Sequence, residues 1–239
     1  MVIEAGNMGF TEINEAIRNG GSDVTISGCI GQRFIGAGMS GKEINICGVP
    51  GNALGAYLNG ARINVDGNAQ DAIGDTMNGG EIVVRGNAGD AAGYAMRGGA
   101  IYIRGNAGYR VGIHMKAYRD KVPVIVIGGC AGSFLGEYQA GGVIAVFGLG
   151  RGERRIVGNF PCTGMHGGKV ILRCAREEVS FPEQVTASVA SSEDSELIGK
   201  IAGEYCRLFG YDISEVLDHE FTVVTPNSTN PYKRLYVAN

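Results

Sequence analysis

Pairs of branched apolar residues two positions apart recur along the chain. They are Ile44/Ile46, Ile63/Val65, Ile82/Val84, Ile101/Ile103, Ile125/Ile127, Ile144/Val146 and Val170/Leu172. Alternation at period two is the mark of a half-buried strand. Each pair but the last is followed at once, or one residue later, by glycine, which predicts a turn. The interval between successive units is 19 residues. Cys29, Gly48, Gly67, Gly86 and Gly105 open the first five, and Gly129 and a more irregular unit at Gly148 follow. The step from Gly105 to Gly129 is 24 residues and carries a five-residue insertion.

Within each unit the same residue types return at the same phase. Seven positions after the opening residue stands a glycine: Gly36, Gly55, Gly74, Gly93, Gly112 or Gly136. Three further on comes a long side chain: Met39, Leu58, Met77, Met96, Met115, then Gln139. A lone strand cannot bury its inner face, whereas identical units stacked about 4.8 Å apart can bury it along a continuous column. The pattern predicts an all-β, parallel β-helix of about seven coils. Left-handed β-helices repeat every six residues, about 18 per coil with three similar strands. The 19-residue period with one strongly apolar strand points to the right-handed form. The phased glycines are expected at turns with positive φ or close backbone approach, so Gly93→Val should impair folding.

The ends break the period. In residues 1–27, "FTEINEAIRNG" reads as a short helix with Thr11 as its cap, Ile13 and Ile17 on one face, and Gly20 as its stop. The repeat occupies residues 28–176. Residues 177–239 hold a second helix within "SSEDSELIGKIAGEYCRLFG", capped by Ser191 or Ser192 and stopped by Gly210. A further helical turn lies in "DISEVLDHEF", "FTVVTP" is extended, and "YKRLYVAN" is a tail that packs on the stack or reaches a neighbour. The termini are expected to cap the stack and shield its strand edges.

Composition narrows the class. Glycine accounts for 41 of 239 residues, yet 44% of residues are hydrophobic and only 6 are proline, which argues against disorder. A net charge of −3 offers no footprint for nucleic acid. No apolar run is long enough to span a membrane, and the first residues do not read as a signal peptide, so a cytoplasmic protein is expected. Six cysteines without a C-x-x-C pair are then expected to be reduced core residues.

Candidate chemistry is sparse. "GAGMSGK" (Gly36–Lys42) imitates two phosphate-binding loops, but these open onto a helix, and "EINIC" reads as a strand. His114, His166 and His219 have no metal-ligand spacing, no catalytic triad can be placed, and Met1-Val2 offers no N-terminal cysteine. No catalytic, cofactor-binding or metal residue is therefore expected in this chain. The insertion, Gly108 to Pro123, gathers Arg110, His114, Lys116, Arg119, Asp120 and Lys121. A loop that breaks a coil period projects from the stack and suits partner contact. The stretch from Gly150 to Gly168 makes a weaker case of the same kind.

The ordered set "GQRFIGAGMSG", "GNALGAYLNG", "GNAQDAIGDTMNGGEIVVRGNAGDAAGYAMRGG", "YIRGNAGYRVGIHMK", "GSFLGEYQAGG" and "GMHGGKVILR" resembles the C-terminal glycine-repeat (GXGXG) domain of the glutamate synthase large subunit. The closing "YKRL" resembles that domain's ending. The resemblance implies a right-handed β-helix without catalytic residues. It would hold a class II glutaminase and an FMN and iron–sulfur synthase in register around an ammonia tunnel, as the enzyme makes glutamate from glutamine and 2-oxoglutarate. A stand-alone chain of this kind would meet those modules as separate subunits, with FMN and the iron–sulfur cluster in the partner. Two other readings stay open. One is a scaffold in another redox complex, such as formylmethanofuran dehydrogenase, which carries related repeats, or an N-methylglutamate synthase. The other is a β-helix enzyme acting alone. A homo-oligomer is also left open.

Overall fold

The computed structural model describes residues 1–228; the tail from residue 229, including "YKRLYVAN", lies outside the described residues. The strands are β1 (Val2–Glu4), β2 (Asp23–Ile30), β3 (Glu43–Val49), β4 (Asn59–Asp66), β5 (Gly79–Val84), β6 (Ala100–Ile103), β7 (Val124–Ile127), β8 (Ala140–Val146), β9 (Gly167–Leu172), β10 (Val185–Val189) and β11 (Thr222–Pro226). The helices are α1 (Phe10–Asn19), α2 (Ser192–Phe209) and α3 (Ile213–Leu217). One sheet contains every strand, in the order β1 to β9, then β11, then β10. From β1 to β9 all pairings are parallel, while β11 joins β9, and β10 joins β11, in antiparallel fashion. This is a parallel β-solenoid.

The apolar pairs meet in register. Val24, Ile44, Ile63, Ile82, Ile101, Ile125, Ile144 and Val170 form one column, and Ile26, Ile46, Val65, Val84, Ile103, Ile127, Val146 and Leu172 form the other. All of these side chains are buried. Each contributes roughly 1.5–3 kcal/mol relative to exposure. Val24 and Ile26 add one unit ahead of the seven read from the sequence.

Opposite the strands, each coil turns through a ridge with positive φ at alternate positions. One coil has Ala91 at +54°, Gly93 at +70° and Ala95 at +50°. The amides of this ridge bond alternately forward and back. Ala91 N–H donates to Tyr109 O (2.7 Å), Gly93 N–H to Ile73 O (2.8 Å), and Ala95 N–H to Ile113 O (2.9 Å). Side-chain ladders run beside the ridge. Asn68, Asn87 and Asn106 each accept a backbone N–H from the next coil, at 2.8, 2.8 and 2.9 Å. Asn52, Asp71 and Asp90 do the same at 3.3, 2.9 and 2.8 Å. Stacking therefore satisfies backbone donors that a single coil would leave orphaned.

The phased glycines all have φ between +64° and +73°. A Cβ on Gly36, Gly55 or Gly74 would come within 2.8, 2.7 or 2.6 Å of an inner isoleucine Cδ1. On Gly93 and Gly112 it would press harder still against Ile125 and Ile144.

The ends are closed by different means. Helix α1 is capped by Gly9, whose N–H donates to Glu12 Oε2 (2.8 Å); Thr11 lies inside the first turn. Its Ile13, Asn14 and Ile17 are buried on the first coil. Helix α2 starts from Ser191, whose hydroxyl accepts from Asp194 N–H, and stops at Gly210 at φ +74°. It buries Ile198, Ile201, Ala202, Tyr205, Cys206 and Phe209 on the outer face of the sheet, against Val83, Tyr102, Val126, Ala145, Phe147 and Ile171.

Candidate functional site: a broken repeat on the ridge

In the coils opened by Gly67 and Gly86 the ridge positions beside the phased glycine carry small residues, namely Ala72, Thr76, Ala91 and Ala95, and the Gly48 coil pairs Ala53 with the exposed Tyr57. The two coils that follow the small-residue ones depart from this pattern. Arg110, His114, Phe134 and Tyr138 occupy the same backbone positions at φ +57°, +57°, +62° and +53°. Tyr109 replaces the Asn or Asp of the polar ladder and is exposed. The departures touch one another. Arg110 Nε bonds Glu137 Oε2 at 2.9 Å, and its guanidinium lies 4.9 Å from the Phe134 ring centre. The His114 ring stacks on Tyr138 (5.1 Å, 8° between planes) and meets Tyr94 edge-on at 6.0 Å. Phe134 in turn packs on Phe160 at 5.4 Å. The result is an aromatic band along the ridge, with Tyr94, Tyr109 and Phe160 exposed. Exposed rings beside arginine suit a protein interface, where such side chains dominate binding energy.

Of the residues singled out in the sequence, Arg110 and His114 join this band. The remaining four lie on the insertion. Its tip is a tight hairpin in which Tyr118 and Lys121 exchange both backbone hydrogen bonds at 3.0 Å. The hairpin folds back rather than standing free, because Lys121 Nζ donates to Asn78 O at 3.0 Å, two coils earlier in the stack. Arg119 covers the Tyr118 ring at 5.1 Å, and Lys116, Arg119 and Asp120 are exposed. The insertion thus adds a cationic margin to the ridge.

The other candidates have structural roles. Lys42, the lysine of the phosphate-loop lookalike, donates to Arg18 O, Gly20 O and Gly21 O at 3.2, 2.7 and 3.0 Å, closing the C-terminal end of α1. Strand β3 follows it directly. In the Gly150 to Gly168 stretch, Arg151 is paired with Glu178 at 2.6 Å. Cys29, Cys162, Cys174 and Cys206 are buried free thiols, whereas Cys47 is exposed and Cys130 half-buried, so the core role does not extend to all six. Burial pushes the Cys162 thiol up to about 12 and the Cys174 thiol up to about 11, which disfavours the nucleophilic thiolate. Among the described residues, no three His, Cys, Asp or Glu side chains are grouped to hold a metal ion, and no helix is long and apolar enough to cross a membrane.

A chain of this architecture is a β-solenoid built on glycine-phased turns. The description of one protein family, the GXGXG motif, matches residues 5–228, and the chain belongs to that family. An uncharacterized protein of Methanocaldococcus jannaschii is 39% identical over 250 aligned residues, spanning 99% of this chain and 96% of the relative. Among solved structures, a chain of the formyltransferase/hydrolase complex (FhcABCD) from Methylorubrum extorquens, crystallised with methylofuran, superposes with a TM-score of 0.66. It is 21% identical and covers 91% of this chain and 84% of that one. At that identity the likeness is one of fold.

Proposed function

We propose that this chain is a noncatalytic scaffold subunit of a multi-subunit complex that docks its partners on the aromatic ridge. The observation that carries this reading is the clustering of the repeat's departures. The Gly67 and Gly86 coils keep small residues at these ridge positions. Large rings and an arginine fill them in the two coils that follow, and Phe160 carries the band into the last coil; Phe34 and Tyr57, in the first two coils, are separated from it by the small-residue coils. The preferred complex is of glutamate synthase type, with a class II glutaminase and an FMN and iron–sulfur synthase as separate subunits, because membership of the GXGXG family spans nearly the whole chain. In that complex glutamine and 2-oxoglutarate give glutamate, and the flavin and cluster belong to the partner.

The M. extorquens likeness favours a second reading, a scaffold in a formyl-transferring complex. Affinity purification of the tagged chain from its native host, with mass spectrometry of the associated proteins, separates the two. Co-purification of a cysteine-first glutaminase and a flavin/iron–sulfur synthase supports the first. A formyltransferase or a molybdenum or tungsten enzyme supports the second. A chain recovered without any associated protein speaks against the scaffold reading.

A further inference from the structure

The first two coils carry rings on the ridge that their own stacking does not use. Phe34 and Tyr57 stand at φ +57°, at positions that Ala72, Thr76, Ala91 and Ala95 fill in the next two coils. Phe10, at the start of α1, packs on Phe34 with ring centres 5.6 Å apart. Phe10 and Tyr57 are 50% and 58% exposed. With Ala37 and Ala56 these rings line a groove between α1 and the ridge, and Arg18 lies along its wall. The groove is firmly held. Asn14 Oδ1 of α1 accepts the backward N–H of Gly36, which has no earlier coil, at 2.8 Å, and Asn14 Nδ2 donates to Phe34 O at 2.9 Å.

The charge left over around this groove has one sign. Arg33 covers the Phe34 ring at 5.4 Å. Arg18 and Arg33 are both exposed, and among the described residues neither guanidinium has a carboxylate partner. Arg110, in the aromatic band further along the ridge, is by contrast paired with Glu137. Two carboxylates near the groove are engaged locally. Glu12 Oε2 accepts the Gly9 N–H at 2.8 Å, and Asp75 Oδ1 accepts the Thr76 hydroxyl at 2.8 Å. Glu15, one turn before Arg18, forms no ion pair with it.

We propose that this groove is a second docking site, and that it takes an acidic segment of a partner subunit. An apolar side chain of that segment sits among Phe10, Phe34 and Tyr57, and its carboxylates meet Arg18 and Arg33. The occupant follows from the chemistry. Aromatic rings and arginine carry most of the binding energy at protein interfaces, and an unpaired guanidinium selects a carboxylate through charge-assisted hydrogen bonds. A second copy of this chain fits less well, because a twofold contact would set the same two arginines against each other. The inference rests on the scaffold reading and deepens it: two subunits held in register need two seats on one rigid body. The Tyr57 and Arg110 rungs are three coil steps apart, about 14 Å along the stack.

The test uses the tagged full chain, purified from its native host with its associated subunits and analysed for subunit stoichiometry. Three forms are compared: the parent, Arg18→Glu/Arg33→Glu and Arg18→Lys/Arg33→Lys. The charge-reversed form is expected to lose one subunit at least tenfold while keeping the others, and the lysine form to retain it. A photo-cross-linking amino acid placed at Ala37 of the otherwise unaltered chain should attach to that same subunit, on a peptide rich in Asp or Glu. A charge-reversed form that keeps every subunit overturns the second site and leaves the scaffold reading standing. A cross-link to a second copy of this chain, or to a basic peptide, overturns it as well. A parent chain recovered without any associated subunit overturns the scaffold reading and this site with it. The cross-link keeps the test decisive if the charge-reversed form does not fold.

Discussion

Positive φ does not by itself select glycine in this ridge. Ala53, Ala72 and Ala91 hold φ values of +61°, +56° and +54°, close to those of the glycines two positions on. The difference lies in where the missing Cβ would point. At Gly93 it would collide with Ile125 Cδ1 inside the solenoid. Cys162, at φ +60° in the last coil, shows that a side chain is accepted at the glycine position where no further coil supplies an isoleucine. Gly93→Ala should therefore destabilise by about 1–3 kcal/mol through overpacking. Adding Ile125→Val, which deletes Cδ1, should recover part of that loss in urea unfolding. A double variant no more stable than Gly93→Ala would put the cost in the backbone conformation instead. The turn role of these glycines was legible in the sequence. The reason for glycine was not, because the colliding atom belongs to a residue 32 positions away.

Asn14 shows the same limit more sharply. It lies on the buried side of a helix read only for Ile13 and Ile17. Its amide stands in for an absent coil. Asn14→Ala should lower stability by about 1–3 kcal/mol, since it orphans the buried Gly36 amide. Asn14→Asp, which keeps the acceptor for Gly36, should lose less; equal losses in thermal melts would count against the capping role.

At the scale of the element, α2 is placed by a change in the outward column of the sheet. Thr25, Asn45 and Asn64 begin that column, and Val83, Tyr102, Val126, Ala145 and Ile171 continue it. The helix is about 27 Å long at 1.5 Å per residue, enough to cross about five strands, and it covers the apolar part. The period-two pattern predicts a half-buried strand in every unit, but from Val83 onward the outward residue is apolar as well and α2 buries that second face, so these strands are covered on both sides. The helix also docks through a notch. Tyr205 donates to Arg104 O at 3.1 Å and fills space that a Cβ on Gly128 would occupy. Gly128→Ala should push α2 outward, reduce the near-ultraviolet tyrosine signal and lower the melting temperature more than Tyr205→Phe does.

The start of α2 carries a pH dependence. Lys169 Nζ bonds Asp194 Oδ1 at 2.6 Å, and this contact, with help from Ser191, holds the Asp194 carboxyl below the usual aspartate range. A depressed carboxyl contributes stability above its unfolded value, near 4, and loses it as the pH falls through the lower folded value. Stability should fall on acidification below about pH 4. That acid-sensitive component should be smaller in Lys169→Met, as read from urea midpoints between pH 7 and 2.

For the whole molecule, rigidity is local and repeated. Each coil supplies acceptors for the donors of its neighbour, so the stack behaves as a rod whose surface varies without altering its register. This permits a docking band to be written onto two coils. Exposed members can be removed without unfolding the stack. A variant combining His114→Ser with alanine at Arg119, Asp120 and Lys121 should melt within a few degrees of the parent. It should bind the purified partner at least tenfold more weakly; unchanged affinity would remove the ridge and its margin from the interface.

The coil period, the register of the inner columns and the parallel stacking were written in local pattern, because a repeat forces each residue into the same surroundings as its counterpart 19 positions away; both longer helices, outside the repeat, were legible from apolar spacing and stop signals. Closure of the ends, the seat of α2, the return of the insertion onto Asn78 and the meeting of Arg110 with Glu137 came only from the folded chain. Those contacts join residues with no periodic relation, and the shape that brings them together exists only once the coils are stacked.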